Sequence, residues 1–312
     1  MKALVLVRWE LVQTMRGLGL HVALTLVSLA SVGLIGAGIF LLDLWSPFPN
    51  TVGTTFRPET TNAPQLSALL GEHRGGLALL VILIWFLLIA ALAGPAFSAG
   101  AIVRDRRSGR LDRMLTDASR ADAVALAKLL AGLVPLALVL AGAGPSASFA
   151  WLIGGLATQE AIASVAVLLA ALVLVVAIGL LCSALASTEV TALVTSYFFI
   201  GLVFFGPLVA SVGVALAGFR ATAVSILALD PFVALLTVQS PLAMGLTRAL
   251  LPEWPGLRLI WMVGKTRVPV WAADVLLYAL LAVALVWLTS VVIEPLHPLK
   301  TWRLRRADGA SR

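Results

Sequence analysis

Six long stretches of this chain carry no Asp, Glu, Lys or Arg, and nothing constrains its folding more. They lie between His21 and Asp43, Arg74 and Arg104, Lys128 and Glu160, Glu160 and Glu189, Glu189 and Arg220, and Asp274 and Glu294. A helix needs about 20 mostly apolar residues to cross the hydrocarbon of a bilayer, and each stretch is long enough. Hydrophobic residues make up 61% of the 312 and charged residues only 12%. Soluble domains hold about 45–50% apolar residues, so the excess here requires lipid as solvent.

The fold expected is therefore an all-α polytopic membrane protein with spans at 20–42, 76–103, 128–156, 161–187, 190–218 and 273–293. Ahead of them, residues 1–19 have the pattern of a helix lying flat on the membrane. Leu4, Val7, Leu11, Met15 and Leu18 share one face, with Lys2, Glu10, Gln13 and Arg16 broadly opposite. Lys and Arg concentrate in cytoplasmic segments. Lys2, Arg8 and Arg16 at one terminus, and Lys300, Arg303, Arg305, Arg306 and Arg312 at the other, put both termini in the cytoplasm of a cell-membrane protein. An even number of crossings follows. The proline-rich loop 43–75 is then outside, and residues 219–272 form an outer loop between the last two spans. That loop holds Arg220, Arg248, Arg258, Lys265 and Arg267, so its charge opposes its placement. A re-entrant or surface hairpin, broken at Asp230-Pro231 and near Pro241, reconciles the two better than a seventh crossing would.

Several chemistries are excluded by what is missing. Cys182 is the single cysteine, so there is no intrachain disulfide and no cysteine-based metal site. The histidines are His21, His73 and His297, far apart and at span edges. Gly264-Lys265-Thr266 resembles the end of a phosphate loop, but position 259 is Leu where that loop needs glycine. The net charge of +7 comes without basic residues interleaved with stacking aromatics, so no nucleic-acid partner is expected. The expected chain is not an enzyme and binds no cofactor or metal itself.

Against this background one segment is dense in charge. Between Arg104 and Asp117 lie five arginines and three aspartates. The stretch 101–128, "AIVRDRRSGRLDRMLTDASRADAVALAK", resembles a motif that follows the second span in permease subunits of type-2 ABC exporters. That motif runs Ile, Glu-Arg, Gly-Thr-Leu-Glu, Leu-Leu, a proline turn, and a Lys opening the third span. Ile102, Asp105-Arg106, Gly109, Leu111-Asp112, Met114-Leu115 and Lys128 occupy those places. Arg110 stands for the threonine, Ala118 for the proline, and both acids are Asp.

The resemblance implies that 104–122 is a cytoplasmic coupling segment docking on a separate ABC ATPase subunit. Its candidate coupling residues are Arg104, Asp105, Arg106, Arg107, Gly109, Leu111, Asp112, Met114 and Leu115. It also implies a pair of permeases working with a pair of ATPases, with ATP and Mg bound by the partner. Within the segment, Leu111, Met114 and Leu115 have the spacing of one helix face and are expected to be the apolar anchor of that contact. The turn 186–190, "ASTEV", is read as a cap opening the fifth span, and as a second contact. Two competing readings are a secondary carrier or channel, and a non-transport membrane scaffold. Acids only at span ends (Glu160, Glu189, Asp274) count against the carrier.

Overall fold

A computed structural model of the chain describes residues 74–116, 121–142, 157–239, 260–263 and 266–294, with single helical positions at 27, 30, 33 and 148. The expected interfacial helix 1–19, nearly all of the first span 20–42, most of 143–156 and the basic tail lie outside the described residues. The elements in order are α1 (Arg74–Ser98), α2 (Ala101–Arg107), α3 (Arg110–Thr116), α4 (Ala121–Gly142), α5 (Thr158–Leu185), α6 (Glu189–Leu216), α7 (Arg220–Leu227), α8 (Pro231–Val238), β1 (Ile260–Val263), β2 (Thr266–Pro269) and α9 (Val270–Ile293). Among the described residues, five helical stretches are long and apolar enough to cross a membrane: 78–107, α4, α5, α6 and α9. The protein is membrane-embedded and helical, with one departure. β1 and β2 form an antiparallel ribbon, Trp261 opposite Val268, inside the 219–272 loop of a chain read as all-α.

Two boundaries differ from the sequence reading. The second span is not one helix. It breaks at Ala99-Gly100, one turn after Pro95, and resumes as α2. The third span starts at Ala121, not at Lys128, so Lys128 sits two turns inside a helix and is buried. A lone lysine looked like a helix mouth because an ammonium needs water or a counter-charge, and here the counter-charge is supplied by another helix.

α5 is the central helix, burying Val167, Leu172, Val175, Val176 and Leu180 on several sides. A helix apolar all round belongs in a core or a bilayer, and this one occupies both. α1 packs along it in parallel: Gly94 faces Val175, and Gly179 faces Ser98. A Cβ on Gly179 would collide with the Ser98 hydroxyl, so only glycine permits this approach. α4 runs the other way, Gly132 meeting Val176. α6 also returns antiparallel to α1, and the Tyr197 hydroxyl donates to the Leu92 carbonyl at 2.7 Å. The outer faces of α6 and α9 expose Val194, Leu202, Val209, Leu280, Val283 and Trp287, which lipid solvates without cost.

The bundle thus has two ends. At one lie the starts of α1, α5 and α9, covered by the short helix α8, with α7 packed against α6. Asp230 caps α8, its Oδ1 accepting from the Phe232 amide at 2.9 Å with Pro231 at the first helical position. At the other lie α2, α3, the start of α4 and the α5–α6 turn.

Candidate functional site: a mounted arginine cluster

Short helices outside a core are marginal alone, so what orders α2 and α3 must be tertiary. α2 starts with amides that have no partner in their own helix. The buried Ser183 hydroxyl of α5 supplies one, accepting from Ile102 N at 3.0 Å and Val103 N at 3.2 Å. The cap comes from a residue some 80 positions away in the chain. Ile102 and Val103 themselves are buried.

Asp105 is the central charge. It is 2% exposed and paired on one oxygen with Lys128 of α4, itself 4% exposed. Arg110, at the start of α3, reaches its other oxygen at 3.0 Å. One carboxylate therefore ties α2, α3 and α4 together. Removing one member of such a buried pair strands a charge in low dielectric, so the arrangement enforces its own geometry.

The arginines beside it point to the end of α5. Arg106 donates to the carbonyls of Ala184 at 2.7 Å and Ala186 at 3.3 Å, and Arg107 donates to Ser187 O at 3.2 Å. Those carbonyls end a helix, where partial negative charge accumulates and a cation contributes about 0.3–1 kcal/mol. Arg104 pairs with Glu189 at 3.5 Å, and both are well exposed. The turn they grip is closed by Thr188, whose Oγ1 accepts from the Thr191 amide at 3.1 Å to cap α6. The cap expected at 186–190 is present, and the same turn is held by arginines of the chain's own α2.

Gly109 separates α2 from α3 with φ +65°, a backbone that side chains resist, and nothing crowds the place of its missing Cβ. It lets α3 fold back on the bundle. Leu111 is 4% exposed and belongs to the main core; Met114 and Leu115 are half-buried against the same core. The apolar face expected to be an anchor for a partner is thus turned inward. The spacing identified a face, but the nearest apolar surface to cover it is the protein's own. The Asp112 side chain lies outside the described residues. Of the candidate residues, Arg104, Arg106 and Arg107 are exposed, Gly109 shapes the turn, and Asp105 and Leu111 hold it from beneath.

Three participants escaped sequence reasoning: Lys128 as ion partner, Ser183 as remote cap, and the carbonyls of 184–187 as acceptors. The first had a signal, a lone lysine in an apolar helix with one acid nearby in the chain. Ser183 carries no such signal, being one small residue in a long apolar run. No protein-family model and no curated protein matches the chain.

Proposed function

We propose that this protein is the membrane-spanning permease subunit of an ATP-driven ABC exporter. In this reading the end of the bundle bearing 104–116 faces the cytoplasm, as do both termini. A separate ATPase subunit docks there, two permeases and two ATPases assemble, and nucleotide-driven closure of the ATPases moves the spans to translocate substrate. The observation that carries the reading is the mounting of 104–110. A loop that obeyed only the positive-inside rule would need arginines but no buried Asp105–Lys128 pair and no remote Ser183 cap. A segment that receives a push must be stiff and joined to the spans it moves, and this one is joined to α4, α5 and α6.

With Leu111 turned inward, the docking surface of this proposal is cationic. Arg104, Arg106 and Arg107 select and orient an acidic rim on the ATPase, setting specificity and association rate. The experiment is co-purification of the tagged protein from its native membrane, with identification of bound subunits. An ATPase bearing phosphate-loop and signature motifs is expected. Its capture should weaken with added salt and fall sharply in Arg104→Glu, whose side chain is largely free of the bundle. Recovery of the protein without any nucleotide-hydrolysing partner, in gentle detergent and low salt, would sink the reading.

A further inference from the structure

A second buried polar cluster lies at the opposite end of the bundle, where the α7–α8 cap meets the last span. Asp274, in the second turn of α9, is 1% exposed, and neither of its carboxylate oxygens has a hydrogen-bond partner. One turn on, the buried Tyr278 hydroxyl donates to the Leu229 carbonyl at 2.9 Å, which fastens the cap to α9. The next residue is Asp230, also buried, whose carboxylate lies close enough to Asp274 for the two to repel. Burial lifts the Asp230 carboxyl to about 6, against the pull of the Phe232 and Val233 amides.

Of the other titratable groups on the packed elements, Arg267 of β2 has a side chain outside the described residues. α8 carries none. Glu160 in the first turn of α5 accepts from the Ala157 amide at 3.3 Å. Tyr278 is neutral and already donating. Among the described residues, then, Asp274 is buried without a hydrogen-bond partner, near a second buried carboxylate at the start of α8. An ionised carboxylate so placed is costly by far more than a hydrogen bond is worth, so something must neutralise it.

We propose that Asp274, with Asp230 beside it, is a binding site for a single positive charge between the α7–α8 cap and the last span. The available donors are all oxygen: two carboxylates, the Tyr278 hydroxyl and the Leu229 carbonyl. That set suits a proton or a hard monovalent ion such as Na⁺. Among the described residues there is no third acid or histidine to complete a divalent site. With the charge in place the cap seats on α9; without it the two carboxylates push Asp230, and the cap it starts, away. The site does not depend on the exporter reading, since it lies at the far end from 104–116.

The test uses the full-length protein in detergent and the apolar reagent dicyclohexylcarbodiimide, which reacts with protonated carboxyls shielded from water. Peptide mass spectrometry reads modification at Asp274. In Na⁺-free choline buffer we expect labelling at Asp274 that is lost in Asp274→Asn. If Na⁺ replacing choline at fixed pH suppresses it, the charge is a metal ion. If Na⁺ has no effect and labelling disappears as pH rises, it is a proton. Labelling indifferent to both, or absent from the folded protein under every condition, overturns the proposal. Thermal stability gives the second measure. Asp274→Asn should melt no lower than the parent and should no longer respond to Na⁺. A fall of many degrees in the isosteric variant would mean that the carboxylate has a fixed partner in the protein, and no ligand site exists.

Discussion

Lys128 and Asp105 provide the sharpest test of how the arginine segment is held. Both side chains are almost wholly buried, 3% and 2% exposed, and Arg110 shares the same carboxylate at 3.0 Å. Breaking a buried ion pair from one side costs about 3–5 kcal/mol, because the remaining charge keeps its desolvation penalty and loses its partner. The two sides are not equivalent. Lys128→Met leaves Asp105 still compensated by Arg110, so about 3 kcal/mol is expected. Asp105→Leu removes the carboxylate that Lys128 and Arg110 share, placing it near about 5 kcal/mol. The double variant Asp105→Leu/Lys128→Met removes both buried charges and leaves only Arg110, which is 29% exposed and reaches water. It should lie well above the sum of the singles, within about 1–2 kcal/mol of the parent, as buried pairs replaced by apolar residues often do. At roughly 2–4 °C per kcal/mol, the singles should lower the melting midpoint in detergent by about 6–20 °C. The assay is fluorescence-detected size exclusion after heating, run on all four proteins. If Lys128→Met melts with the parent, or if the double variant is as unstable as the two singles added, the pair does not hold the segment and the mounting argument fails.

Gly179→Ala should cost about 1–3 kcal/mol by overpacking α5 against α1, and Ser98→Ala, which removes the obstructing hydroxyl, should recover much of it; absence of rescue in melting would mean the helices do not meet there. Asp230 titrates higher in the folded protein than in the unfolded chain, so its contribution is complete below about pH 4 and is lost as pH rises to about 6. The difference amounts to at most about 3 kcal/mol at 1.36 kcal/mol per pH unit. Asp230→Asn keeps the α8 cap, because Asn caps as well as Asp, and should flatten melting against pH across that window; an unchanged slope refutes the assignment. For orientation, Ser311→Cys in a Cys182→Ser background should resist an impermeant maleimide on intact cells, and its labelling there would invert the proposed topology.

The sequence by itself determined that the chain lives in lipid and roughly where it crosses, since spanning is a one-dimensional property: a run of apolar residues of sufficient length. It also singled out 104–116, because dense charge in an oily chain is conspicuous whatever surrounds it. Periodicity showed that Leu111, Met114 and Leu115 share a face, yet periodicity is silent on what covers a face. The fold supplied the answer by turning them onto the chain's own core. Likewise a sequence records that Asp105, Lys128 and Ser183 exist, but ion pairs and caps depend on distance in space, and these residues are brought together by helices packed antiparallel and parallel to α5. Asp274 shows the same limit in reverse. It sits near a span end, where a charge normally reaches water, and only the α7–α8 cap folding over it turned an ordinary boundary residue into a buried carboxylate without a partner.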